Sequence, residues 1–198
     1  MTTNSRTRFL RLLSVLALAA ACLCGPPAAR AAENDPITWQ ALRSGAVVLF
    51  RHATAPGIGD PQNFKLGDCS TQRNLDRTGR EEATRIGVAV RAHDVRIGRV
   101  LSSQWCRTRE TADLAFPGLA REEPIFNSFF DNASNDPKQT AAARALMLGW
   151  TGPGALVVVT HQVNITALTG IVPASGEGVV MERDGRDLKV IGRIGPLR

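Results

Sequence analysis

Histidine and cysteine are scarce in this chain, with three of the first and four of the second among 198 residues. A structural metal centre needs three or four such ligands at close spacing, and no group of them is spaced that way, so no metal is expected. Neither Cys69 nor Cys106 opens a Cys-x5-Arg thiolate loop, because position 75 is leucine and position 112 is alanine. No Walker A glycine loop is present, which removes the commonest nucleotide-phosphate cradle. The chain also lacks internal repeats, low-complexity tracts and any long hydrophobic run beyond its amino-terminal leader.

That leader reads as an address. Arg6, Arg8 and Arg11 form a basic start, residues 12–23 form an apolar core too short to span a bilayer, and Ala29-Arg30-Ala31 offers a small-x-small cleavage site. A signal peptide over residues 1–31 is expected, with the mature chain starting at Ala32 and no membrane span after processing. A lipoprotein reading would need Cys22 to follow a better triplet than Ala19-Ala20-Ala21, and an uncleaved anchor helix is the other alternative. Expected localisation is periplasmic or secreted.

The leader also distorts the charge balance. The whole chain carries 24 basic and 18 acidic residues, a formal +6. Four of those arginines and none of the acids fall within residues 1–31, so the remainder is near +2. Such a balance gives no case for a nucleic-acid partner. Residues 32–198 have the length of a single domain with a good-sized core. Cys22 and Cys24 leave with the leader, and an even remaining pair in an oxidising compartment is a disulfide candidate. Two unrelated buried thiols are the alternative. Because Cys106 adjoins Arg107, a bridge from Cys69 would brace whatever Arg107 does.

Pattern reading predicts a short helix from Ile37 to Arg43, then a strand, then a long irregular loop through residues 56–75, marked by Pro56, Gly57, Gly59, Pro61 and Gly67. Thr78 and Glu81 have the spacing of a capping box, opening a helix with Ala83, Ile86 and Val90 on its apolar stripe. A strand at Val100-Leu101-Ser102 leads to a helix from about Gln104 to Ala115. Residues 122–136 read as strand or loop, with Phe126, Phe129 and Phe130 as a packing cluster. Asp136-Pro137 predicts a helix start on a helix reaching Trp150, and another short helix begins near Val163. The tail alternates apolar and polar residues around Asp184-Gly185, a hairpin signal. Strands alternating with helices predict an α/β, three-layer architecture: a mostly parallel sheet flanked by helices, with an antiparallel edge hairpin near the C-terminus.

Two of the strands carry the functional signal. Ala46-Val47-Val48-Leu49-Phe50-Arg51-His52 and Ala155-Leu156-Val157-Val158-Val159-Thr160-His161 are β-branched runs that each end on a histidine. Such runs suit buried parallel strands, whose carboxyl ends form the ligand crevice of open α/β sheets. A third strand end delivers Ser103-x-x-x-Arg107. Any one of these elements alone has a bland reading as a cap or surface group. Together they propose two imidazoles and two guanidinium groups at one crevice, a set suited to a phosphoryl group.

These residues resemble the histidine phosphatase (phosphoglycerate mutase-like) superfamily. Arg51-His52-Ala53 is similar to its RHG signature, and Asn74-Leu75 with Thr78-Gly79-Arg80 to its helix entry. Residues 103–112 resemble its S-x-x-x-R element, and Thr160-His161 its second histidine. The resemblance runs through nearly all of the chain after the leader. In flavour it leans towards small exported members such as lipopolysaccharide core heptose phosphatases. It implies a metal-independent, cofactor-free phosphomonoesterase acting on a phosphorylated small molecule or a glycan or lipid headgroup, through a phosphohistidine on His52. Arg51, Arg107 and His161 would form the phosphate pocket, with Gln162 and Asn164 as further binding or orienting groups.

Chemistry supports those roles. A neutral imidazole can accept and release a phosphoryl group without a metal, and guanidinium forks match the spread charge of the transition state. The sequence departs from the family twice. Ala53 stands where glycine is usual, and Phe126-Asn127-Ser128 puts serine where the family's general acid often falls. Asp131, the nearest downstream carboxylate, is the expected acid, against a reading in which it caps a turn. A phosphotransferase on the same pocket, or an inactive phosphoglycan- or phospholipid-binding sensor, are the alternative functions.

Overall fold

The computed structural model describes residues 35–197, so the signal-peptide expectation lies outside the described residues. Asp35 caps helix α1 (Pro36–Arg43) through Ile37 N–H, as proline at the first helical position favours. Gly45, at φ +99°, turns the chain into β1 (Val47–Arg51). The long loop follows, broken by a single 3-10 turn at Cys69–Thr71. Then come α2 (Arg77–Ala92), β2 (Ile97–Ser102), α3 (Cys106–Ala115) and the three-residue β3 (Ala120–Glu122). The chain continues through α4 (Asp136–Leu148), β4 (Ala155–Thr160), α5 (Gln162–Thr169), β5 (Gly178–Asp184) and β6 (Asp187–Ile194).

The strands form one sheet in the order β3-β2-β4-β1-β5-β6. The first four are parallel to one another, and β5 and β6 add antiparallel at one side, with β6 at the edge. Alternation along each strand divides the core. Val48, Phe50, Val100, Val157 and Val159 pack on one face with Trp39, Leu42, Ile86, Val90 and Phe116 from the first three helices and their ends. Val47, Leu49, Leu101, Leu156 and Val158 pack on the other with Phe126, Met147 and Ile165. All six β4 residues are buried, as a central parallel strand requires. The fold is therefore the expected three-layer α/β arrangement. Among the described residues, no helix is long and apolar enough to cross a membrane.

Local expectations needed correction where polar residues compete for the same job. The cap of α2 is Asp76, whose carboxylate accepts from Gly79 N–H, not Thr78; Glu81 pairs with Arg77 instead of closing a box. A Cβ on Gly79 would lie 2.0 Å from the Thr54 carbonyl oxygen, so glycine lets α2 dock against the chain just after His52. Phe126 and Phe129 are buried, but Phe130 is 54 % exposed, so the expected three-ring cluster does not form. Helix α4 starts on Asp136 itself and stops at Leu148.

A disulfide joins Cys69 to Cys106. It ties the long loop to the first residue of α3, beside Arg107. The two cysteines are 37 residues apart, and closing a loop of that length contributes about 4 kcal/mol in the chain-entropy model. Reduction, or the Cys69→Ser, Cys106→Ser double variant, is expected to lower the thermal midpoint by well over about 5 °C. An unchanged midpoint in a scanning calorimeter would contradict that contribution.

Candidate active site

Strand β4 lies between β1 and β2, and this order brings three strand ends together. Arg51 aligns with Thr160 and Ser102 with Val159. Just past those ends, His52 N–H donates to the Thr160 carbonyl at 2.9 Å, and Ser103 N–H donates to that of Val159 at 3.0 Å. The His52 and His161 rings meet edge-on with centroids 5.6 Å apart. Arg51, His52, Arg107 and His161 all line one pocket of about 280 Å³, together with Gln162 and Val163 from the first turn of α5. The amino end of α5 has no side-chain cap, so its first amides keep their partial positive charge for an anion.

The His52 Nδ1 lies 2.8 Å from the Ala53 carbonyl oxygen. A carbonyl only accepts, so Nδ1 carries the proton and the Nε2 lone pair is left for attack. Ala53 is itself fully buried among Ala55, Leu75 and Ala83, so the methyl that replaces the usual glycine hydrogen is accommodated. His161 Nε2 is 2.8 Å from the Ser103 hydroxyl, which in turn donates to Asn127 Oδ1. Serine at 103 therefore orients the second imidazole.

Both imidazoles are neutral in the free protein. Burial pushes the His52 pKa down to about 3; the Ala53 hydrogen bond opposes it, and the lesser effects of the Arg107, Arg51 and Arg73 charges add to the lowering. Burial likewise takes His161 well below its ordinary value, with His52 and the same arginines adding to it. In the unfolded chain each would titrate near its usual value of about 6.5. Below that pH the unfolded state binds more protons than the native one, so both groups lower stability as pH falls below about 6.5, His52 doing so down to about 3, by at most about 1.4 kcal/mol per pH unit each. Denaturant titrations from neutral to mildly acidic pH are expected to show a shallower loss in a His52→Gln, His161→Gln double variant than in the wild type. Parallel curves would contradict the buried neutral state.

Two of the arginines lining the pocket carry a buried donor without a partner among the described residues. Arg51 Nη1 donates to the Pro173 carbonyl at 2.9 Å, and its Nε is buried with no hydrogen-bond partner among the described residues. Arg107 is 3 % exposed, and its Nε is equally buried and unpartnered. Leaving two such donors unsatisfied is costly, and both guanidinium groups belong to residues that line the pocket. Burial and Arg107 lower the pKa of Arg51 from its ordinary value, a sign of positive charge held together in search of a counter-ion.

No family model matches the chain, and no curated protein matches it. Solved structures do. The protein histidine phosphatase SixA complexed with tungstate superposes with a TM-score of 0.53 at 19 % identity, covering 76 % of this chain and 97 % of that one. This is the histidine phosphatase fold. A phosphoglycerate mutase from Thermus thermophilus shares it at TM-score 0.54 and 16 % identity, over 76 % and 98 % of the two chains. So does a phosphoserine phosphatase mutant from Entamoeba histolytica in complex with phosphoserine, at TM-score 0.54 and 13 % identity, over 77 % and 98 %.

Within this histidine phosphatase fold, the remaining site candidates fall in different places. Gln162 lines the pocket and donates to Thr166 Oγ1. Asn164 is buried behind it, donating to the Asn127 carbonyl at 2.9 Å, outside the pocket lining. Asp131 is exposed on the turn after Phe130 and does not line the pocket. Ser128 lines it instead.

Two pocket residues escaped the sequence reading. Arg73 donates from Nε to the Gly59 carbonyl at 2.8 Å and from Nη1 to that of Ala55, clipping the long loop over the pocket. Asp60, on that loop, forms a buried ion pair with Arg107. Both sit in a stretch without periodicity, so no pattern could place their side chains. Three guanidinium groups and one carboxylate line the pocket. Their net charge, near +2, matches a phosphate dianion.

Proposed function

We propose that this protein is an exported, metal-independent phosphomonoesterase that works through a phosphohistidine on His52. The observation that carries this reading is the meeting of His52, His161, Arg51 and Arg107 at one pocket, with His52 neutral and its Nε2 unprotonated. In this scheme Nε2 attacks phosphorus in line as the ester oxygen departs. Arg51, Arg107 and the α5 amides hold the non-bridging oxygens. The incoming dianion draws a proton onto His161, whose Nδ1–H then adds a donor. Water next attacks the phosphohistidine, releasing phosphate and restoring His52. The Cys69–Cys106 bridge supports an oxidising compartment. The substrate class is a phosphorylated small molecule or a glycan or lipid headgroup, a reading supported by the cationic lining of the pocket.

A chelator-treated preparation tests the reading with 4-nitrophenyl phosphate. Steady release of nitrophenol and inorganic phosphate, inhibited competitively by orthovanadate, is the expected result. No turnover, or turnover only after a divalent metal is restored, would reject it.

A further inference from the structure

Expulsion of an alkoxide needs a proton at the leaving oxygen, and the pocket offers one carboxyl group among the described residues. Glu122 is exposed and paired with Arg109, and Glu123 caps the turn at Ile125. Asp131 is exposed outside the pocket, and Ser128 stands at its wall. That leaves Asp60. Its side chain is 8 % exposed, with Oδ1 at 2.6 Å from Arg107 Nη1 and Oδ2 at 3.1 Å from Nη2. Trp105 Nε1 donates to Oδ2 at 2.8 Å, and the edge of the same indole meets the His161 ring at 5.4 Å.

We propose that Asp60 is the proton donor to the leaving oxygen and, in the second half-reaction, the base for the attacking water. This rests on the phosphohistidine reading above. Asp60 takes the Nη1/Nη2 end of the Arg107 guanidinium at the wall of the pocket that His52 and His161 also line, so a phosphoryl group held at His52 lies next to that ion pair. Phosphate and carboxylate thus share one arginine and lie beside each other.

Charge explains how a salt-bridged carboxylate becomes an acid. In the free protein, burial raises the Asp60 pKa, but the Arg107 and Trp105 hydrogen bonds and the Arg107 and Arg73 charges outweigh it and hold the carboxyl below its usual range. When a dianion settles on Arg51 and Arg107, those positive charges are spent on it and a like charge arrives next to Asp60. Both changes favour the protonated carboxyl. Substrate binding thereby loads the acid with a proton from solvent.

The balance then closes. His52 Nε2 bonds to phosphorus while the phosphorus–ester oxygen bond breaks, and the Asp60 proton moves to that oxygen, leaving an alcohol, a carboxylate and phosphohistidine. As water bonds to phosphorus and the nitrogen–phosphorus bond breaks, the water proton returns to Asp60. No co-reactant is required.

Leaving-group dependence tests this. Asp60→Asn keeps the size and an acceptor but cannot donate an acidic proton. Against an alkyl phosphomonoester such as glycerol 3-phosphate, kcat/KM is expected to fall about 10²–10⁴-fold, the usual range for a lost general acid. Against 4-nitrophenyl phosphate, whose leaving group needs no proton, the loss is expected to stay below about tenfold. In the wild type alone, kcat/KM across a series of phosphomonoesters is expected to depend weakly on leaving-group pKa, which serves if the variant does not fold. Equal losses on both substrates would make Asp60 only a support for Arg107. Gains on both would make it a plug that competes with phosphate, and a steep wild-type dependence would leave no acid at all; any of these overturns the proposal. Loss of all turnover in the wild type would instead sink the phosphatase reading itself.

Discussion

Replacing His52 with alanine is expected to lower kcat for 4-nitrophenyl phosphate on the order of 10⁵-fold, the scale seen when a covalent nucleophile is removed. No neighbour can substitute. His161 is turned by Ser103, and its Nε2 is committed to that hydroxyl. Asp60 is held by Arg107 and Trp105. The oxyanion ligands survive in this variant, so orthovanadate should still bind, which separates loss of chemistry from loss of the site. His52 contributes its ring to a polar pocket rather than to the apolar clusters, and the variant is expected to keep its circular dichroism. Retained turnover with intact binding would mean that a group other than His52 attacks phosphorus.

Arg107→Ala comes next in size. Removing a guanidinium that stabilises a transferring phosphoryl group costs about 10³–10⁵-fold, and that range is expected in kcat/KM. A structural penalty accompanies it. Arg107 and Asp60 are a buried pair, and deleting one partner strands the other, a cost of about 3–5 kcal/mol. The two effects come apart in combination. Adding Asp60→Asn to Arg107→Ala should restore much of the stability in denaturant titrations without restoring turnover. Arg107→Lys keeps the charge and loses the fork, so it should recover stability better than activity. Activity that returned together with stability would reduce Arg107 to a scaffold residue.

What could be read from the residues alone follows from how tightly each is constrained. Strands β1 and β4 are buried on both faces, so their sequences had to be continuous β-branched runs, and their ends on His52 and His161 were visible at once. Strand β2 was seen only from Val100 because Gly98 and Arg99 are exposed and carry no apolar pattern. Strand β3 has three residues at the sheet edge, too few for a period to show. At the start of α2, Asp76 and Thr78 are both capping residue types two positions apart, and only the hydrogen bond from Gly79 N–H to the Asp76 carboxylate distinguishes them. Asp60 and Arg73 illustrate the firmer limit. They reach the pocket from a loop held in place by the Cys69–Cys106 bridge, by Arg73 on the Gly59 carbonyl and by Gln72 on the amide of Cys106. These are tertiary contacts with no local signature. The carboxylate expected at Asp131 was sought where a linear motif would put it, whereas the pocket draws its carboxylate from the loop after β1, far earlier in the chain.

On the proposed mechanism, phosphorus becomes bonded to His52 during turnover. Rapid mixing with radiolabelled phosphate ester, followed by denaturation in alkali and in acid, examines that bond directly. The expected label survives alkali, is released by acid, maps to the peptide carrying His52 and is missing in His52→Ala. Steady turnover with no label on the protein at any quench time, or label stable to acid, would contradict it.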